Sequence, residues 1–220
     1  MAREIEIKLR IQDAKAFLRK LKALGGRPVN GGTGRVHEWN VIFDTPQGGL
    51  AKHGQLLRVR TETPQPEKKK GTGSGKRIVL TFKKPASRAS EVTDAVRKIV
   101  PAGRHKVREE IEVEVEDGER LSRIFEGLGM RGWFRYEKYR TTYKLRPSER
   151  WAKELLIELD ETPIGNFVEL EGPPEAIDRA TRMLGYSARD YELRNYLALY
   201  LEECRKRGEP PRDMIFASKS

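Results

Sequence analysis

Between Arg3 and Arg10 polar and apolar residues alternate strictly, with Glu4, Glu6, Lys8 and Arg10 on one face and Ile5, Ile7 and Leu9 on the other. A period of two is the pattern of a half-buried strand. Neighbours on one face of a strand stand roughly 6–7 Å apart, so the two carboxylates can share one cation and the lysine can reach a nearby anion. Taken alone, the same pattern also describes a solvated edge strand whose charges discourage aggregation. Repetition elsewhere is what gives it chemical weight. Arg58 and Arg60 oppose Leu57 and Val59; Thr81 and Lys83 oppose Leu80 and Phe82; Arg108, Glu110, Glu112 and Glu114 oppose Ile111, Val113 and Val115. Further on, Lys138 and Arg140 share a face, Glu158 and Asp160 oppose Ile157 and Leu159, and Glu169 and Glu171 oppose Val168 and Leu170. Two adjacent guanidiniums on a strand repel unless an anion sits between them.

The elements that must position these groups follow from periodicity. Strands are predicted over 3–10, 35–44, 55–61, 77–83, 107–115, 132–145, 153–160 and 166–171. Asp13 caps a predicted helix over 14–24, Asp117 opens one running to Gly129, and Pro174 starts one over 175–184. A short helix is predicted over 90–99, and Ser187 with Asp190 forms a capping box for a helix over 188–207. The Pro-, Lys- and Gly-rich stretch 62–76 reads as a mobile hairpin loop; its GTGSG run lacks the GxxxxGK[ST] pattern of a phosphate loop. Residues 1–207 are expected to form one domain, with 208–220 a flexible tail.

Composition narrows the partner. Lys plus Arg number 44 against 33 Asp plus Glu, a formal net charge of +11, which asks for an anionic ligand. A lone Cys204 supplies neither a disulfide framework nor a thiolate cluster, and His37, His53 and His105 lack metal-ligand spacing. No stretch approaches the ~20 apolar residues of a membrane span. The amino terminus runs straight into a strand without a leader pattern, so a soluble cytoplasmic protein is expected.

With helices available to cover the apolar faces, the charged faces converge on a polar lumen. Arg58, Arg60, Lys83, Arg108, Lys138 and Arg140 suit a polyanion there. Glu4, Glu6, Glu110, Glu158, Asp160, Glu169 and Glu171 would repel that polyanion unless divalent cations stood between. Oxygen-only donors fit Mg²⁺ or Mn²⁺, which bridge carboxylates and phosphates. The deduced ligand is a metal-bound di- or triphosphate. Nucleic acid is disfavoured because its backbone prefers basic surfaces without opposing acids.

The ordered blocks resemble the CYTH, or triphosphate tunnel metalloenzyme, family, which includes class IV adenylate cyclases, thiamine triphosphatases and inorganic triphosphatases. Glu4, Glu6 and Lys8 match its ExExK signature. Then follow FDT at 43–45, LRxR at 57–60, TxK at Thr81 and Lys83, RxE at Arg108 and Glu110, KxR at Lys138 and Arg140, the Asp strand at Asp160, and ExE at Glu169 and Glu171. The resemblance implies an α+β fold: an eight-stranded antiparallel β-barrel with a charged lumen and helices outside. It also implies metal ligation by Glu4, Glu6, Asp160, Glu169 and Glu171, and phosphate binding by Lys8, Arg58, Arg60, Lys83, Arg108, Lys138 and Arg140. Glu4, Glu6 and Lys8 are the catalytic candidates. Glu110 and Glu158 are secondary candidates, as is Lys76, which stands where some members carry an extra basic residue. The expected activity is hydrolysis of an inorganic or organic triphosphate, with cyclisation of ATP as the alternative and a non-catalytic binding module third. An RNA 5′-triphosphate end is the one nucleic-acid ligand kept open. A monomer or homodimer without membrane contact is expected.

Overall fold

The computed structural model describes residues 2–29, 34–65, 75–86 and 104–217. Its elements run β1 (Ala2–Ile11), α1 (Ala14–Ala23), β2 (Arg27–Pro28), β3 (Arg35–Asp44), α2 (Gly49–Lys52), β4 (Leu56–Pro64), β5 (Arg77–Pro85) and β6 (Lys106–Glu114). There follow α3 (Gly118–Gly127), β7 (Arg131–Lys144), β8 (Leu156–Thr162), β9 (Gly165–Glu171), α4 (Pro174–Leu184) and α5 (Tyr196–Arg207). The strands order β7-β3-β4-β5-β6-β1-β9-β8, and pairing of β7 with β8 closes these eight into a barrel. Every pairing is antiparallel, and β2 is an extra strand on β7.

Closure turns the period-two pattern into an inside and an outside. The outward face of β1, β8 and β9 presents Ile7, Leu9, Ile157, Leu159, Val168 and Leu170 to Phe17 and Leu21 of α1 and to Ile177, Ala180 and Leu184 of α4. Each such side chain, fully buried, stabilises by about 1.5–3 kcal/mol. On the other flank α3 lays Phe125 against Phe43 and Val59. The main core therefore lies between barrel and helices, so the strand faces left for the lumen are the charged ones. A second apolar cluster plugs part of one barrel end: Ile42, Phe134, Tyr136 and Phe167 pack with Tyr196, Leu199 and Met214.

Several boundaries differ from the sequence expectation. The Ser187–Asp190 capping box exists, but it closes a 3-10 turn at Ala188–Asp190. The long helix starts only at Tyr196, capped by Asn195, whose side chain accepts from the Ala198 N–H. The reason is tertiary: Glu192 exchanges backbone hydrogen bonds with Lys8, at 2.8 and 3.2 Å, along the part of β1 that extends past β6, and that extended backbone cannot be helical. β8 is displaced to Leu156–Thr162 because a 3-10 turn at Arg150–Ala152 occupies the approach. Within the tail expected to be flexible, the described residues 208–217 are docked at Met214, which bonds the backbone of Arg135 and Glu137 beyond the end of the β7–β8 pairing and is 1% exposed. The helix predicted over 90–99 and most of the 62–76 loop lie outside the described residues. Among the described residues, no helix is long and apolar enough to cross a membrane.

Candidate active site

The lumen holds a cavity of about 600 Å³ to which all eight barrel strands contribute. Glu4, Glu6, Lys8, Arg58, Arg60, Lys83, Arg108, Glu110, Lys138, Arg140, Glu158, Glu169 and Glu171 all line it, as their shared parity requires. Two sequence candidates do not. Lys76 is exposed just ahead of β5. Asp160 is fully buried behind the lining, where donors already surround it.

Those donors form the denser of two charge clusters. Arg140 Nε donates to Asp160 Oδ1 at 2.7 Å and Nη2 to Oδ2 at 2.6 Å. The same guanidinium pairs with Glu158 and Glu169. Lys138 Nζ and the Tyr196 hydroxyl also donate to Asp160 Oδ2, at 2.9 and 2.6 Å. Lys8 lies 2.8 Å from Glu169 and 4.7 Å from the Tyr196 ring centroid. Burial pushes the Glu169 carboxyl upward, but Lys8, Arg140 and Lys138 overcome it and hold the group well below the usual carboxylate range. Glu38 behaves alike: Lys138 and Arg140 outweigh burial and hold it at about 2. Burial and the neighbouring Asp160 raise the Tyr196 hydroxyl well above its ordinary value.

The second cluster is short of cations. Lys83 Nζ donates to both oxygens of Glu4, at 2.7 and 2.8 Å, and lies 3.1 Å from Glu110. Burial together with Glu4 and Glu112 lifts the Glu110 carboxyl to about 7 despite Lys83. Burial, Glu158, Glu4 and Glu110 lift Glu171 to about 8. The Glu171 carboxylate has no ion pair among the described residues, nor has the Arg108 guanidinium. Glu6 differs from its neighbours: burial and Glu169 push it up, yet Lys106, Lys8 and Lys83 hold it at about 2.

Between the clusters, Arg58 donates to the Tyr136 hydroxyl at 3.1 Å and to Thr81 Oγ1 at 3.2 Å. Thr81 in turn donates to Glu112 at 2.8 Å. The Arg58 Nε is buried without an acceptor among the described residues. Arg60 pairs with Glu62 at 2.9 Å and Glu112 at 3.3 Å.

Whether a divalent cation fits can be judged from the donor set. Among the described residues no His or Cys lines the cavity, and the donors there that suit a metal are carboxylate oxygens, the chemistry of Mg²⁺ and Mn²⁺. As the side chains stand, no three of the described acidic, His or Cys residues converge as a ligand group, because lysines and arginines hold several of them. The raised Glu110 and Glu171 nonetheless mark uncompensated negative charge that a cation would relieve. The residues fit such an ion.

Sequence reasoning missed Glu38, Lys106, Tyr136 and Tyr196, all of which line the cavity. Lys106 shares parity with Arg108 and Glu110 and was legible as one more step of the same strand. Glu38 was obscured because Val36, Glu38, Asn40 and Ile42 form a mixed face. Tyr196 has no local signal, since only the tertiary fold carries its ring to the barrel.

The family model described as the CYTH domain matches residues 2–196. A Methanocaldococcus jannaschii protein that carries the provisional name adenylate cyclase is 25% identical over 182 residues, covering 82% of this chain and 83% of the relative. Among solved structures, a Vibrio parahaemolyticus protein, also provisionally named adenylate cyclase, superposes with a TM-score of 0.66 at 18% identity, covering 89% of this chain and 96% of its own. An adenylyl cyclase candidate from Hippeastrum, described as having a dominant triphosphatase activity, gives 0.51 at 20% identity, over 94% of this chain and 97% of its own. Both likenesses show the barrel fold.

Proposed function

Because this chain belongs to the CYTH family, we propose that its tunnel binds a triphosphate with Mg²⁺ or Mn²⁺ and hydrolyses the terminal phosphoanhydride. The observation that supports this reading is one cavity lined both by cations able to wrap a polyphosphate and by carboxylates, of which Glu110 and Glu171 crowd other acids. Arg108, with no ion pair among the described residues, can take a phosphate oxygen without breaking one. Arg58, Arg60, Lys83 and Lys106 do so by exchanging a carboxylate contact for a phosphate oxygen. Arg140 and Lys138, already saturated by Asp160, act as fixed positive charge. Such a preorganised array stabilises charge developing on the transferred phosphoryl group. Glu171, Glu110 and Glu4 would hold the divalent ion, which when bound polarises phosphoryl oxygens or orients water. Hydrolysis asks for nothing beyond this clamp, the ion and water. Cyclisation is the second reading, favoured by the provisional name of the Methanocaldococcus jannaschii relative.

The test is to incubate purified protein with tripolyphosphate, ATP and thiamine triphosphate in Mg²⁺ or Mn²⁺ and to resolve phosphate, pyrophosphate and cyclic AMP. Orthophosphate release is the expected result. Cyclic AMP with pyrophosphate overturns hydrolysis in favour of cyclisation, and metal-dependent binding without turnover makes the protein a binding module.

A further inference from the structure

The two ends of the tunnel are chemically different. One end is lined by Arg77, Glu62, Glu112 and Lys144 with Val29 and Val36, and no aromatic ring among the described residues lines it. The other is lined by Trp133, Leu56, Gln55 and Leu197, close to the apolar cluster of Phe134 and Tyr136.

Trp133 is there because the strand pattern breaks. Ile42 pairs with Phe134 and Phe43 with Gly132, so the register shifts by one and Trp133 is left without a partner on β3. On an unbroken strand it would point away from the lumen, opposite to Phe134. A bulge bends its strand and re-aims side chains, and bulges concentrate beside active sites. Here Trp133 lines the cavity while remaining 46% exposed, its ring 5.9 Å from that of Phe134. At the same end of the cavity the Gln55 side chain makes no hydrogen bond to the described residues. A half-exposed indole leaves a large apolar face in water. With the Gln55 amide it matches what a flat heterocycle needs: a π-face to stack on and a polar group to bond its edge. The cavity continues from this end into the cationic lumen, so one ligand can occupy both.

We propose that Trp133, with Leu56 and Gln55, forms the site for a planar aromatic heterocycle carried by the triphosphate, so that Trp133 distinguishes an organic triphosphate from bare tripolyphosphate. This rests on the reading of the tunnel as a triphosphate site. A purine base and the ring pair of thiamine share the stacking chemistry, and the choice of ligands separates them.

The experiment is calorimetric titration of the wild-type protein, Trp133→Ala and Trp133→Phe with ATP, thiamine triphosphate and tripolyphosphate in Mg²⁺. Trp133→Ala is expected to weaken the organic triphosphates by about tenfold, the scale of one lost stacking contact, with tripolyphosphate unaffected and Trp133→Phe recovering most of the loss. Tighter wild-type binding of ATP than of thiamine triphosphate identifies the purine, and the reverse order the thiamine rings. Equal weakening of all three ligands, no weakening of any, or a wild type that takes only tripolyphosphate overturns this inference and leaves the tunnel reading intact. A folded wild type that binds none of the three overturns the tunnel reading itself.

Discussion

Around Arg140, one guanidinium serves Asp160, Glu158 and Glu169 while Lys138 and Tyr196 complete the shell of Asp160. Around Lys83, one ammonium serves Glu4 and Glu110, while Glu171 nearby has no ion pair among the described residues. The residue types are the same and the strand spacing is the same; the number of donors per carboxylate is not. Among plentiful donors Glu169 is held ionised, whereas Glu158, which shares the Arg140 guanidinium, is still raised by burial together with Asp160 and Glu169. Where donors are few, burial dominates and Glu110 and Glu171 rise to about 7 and 8. The first arrangement is built as scaffold and the second is suited to a cation that comes with a ligand.

This contrast can be broken most severely at its dense side. Arg140→Ala takes one partner from each of three buried carboxylates and leaves Glu158 without an ion pair among the described residues; loss of one partner from a buried ionic network costs about 3–5 kcal/mol. The expected outcome is a large fall in the urea midpoint together with loss of triphosphate turnover. Tyr196→Phe removes one donor from Asp160 and nothing else; about 1–2 kcal/mol of stability should go, read from the same unfolding curves.

On the sparse side the sign reverses with pH. Glu110 and Glu171 have folded-protein values above the ordinary 4.5, so the stability they contribute is fully present below 4.5 and is lost as pH rises through about 7 and 8. In chelator, thermal midpoints should therefore decline between roughly pH 4.5 and 8 and level off above that. Mg²⁺ or Mn²⁺ should restore them most at the alkaline end, where the carboxylates are free of protons. Glu171→Gln should flatten both the decline and the metal response, and an unchanged slope in that variant would assign the titration elsewhere. Smallest in stability is Arg108→Ala: with no ion pair among the described residues to lose, it should shift unfolding by less than about 1 kcal/mol. Its effect should appear instead as weaker tripolyphosphate binding by calorimetry.

Much of this site was legible from residue spacing. Alternation at Glu4, Glu6 and Lys8 and its recurrence at Arg58, Arg60, Lys83, Arg108, Glu110, Lys138, Arg140, Glu158, Glu169 and Glu171 assign each to one strand face, and all of them line the lumen. Asp160 shares that parity but is covered by Tyr196, which lies 36 residues further along the chain. No local pattern announces such a contact. Trp133 defeats parity altogether, since a one-residue bulge reverses the face on which a side chain emerges.

The sequence by itself therefore determined which residues share a face, because side-chain direction along a strand depends only on the backbone period. It also determined that apolar and charged faces must part company, because helices with apolar stripes were available to cover one of them. Only the tertiary structure decided which carboxylates receive two or three donors and which must share one. That outcome depends on barrel closure, on the register between strands distant in sequence, and on a helix whose start was set when Glu192 paired with β1. Electrostatic compensation is a property of neighbours in space, and chain order does not encode distance across a lumen.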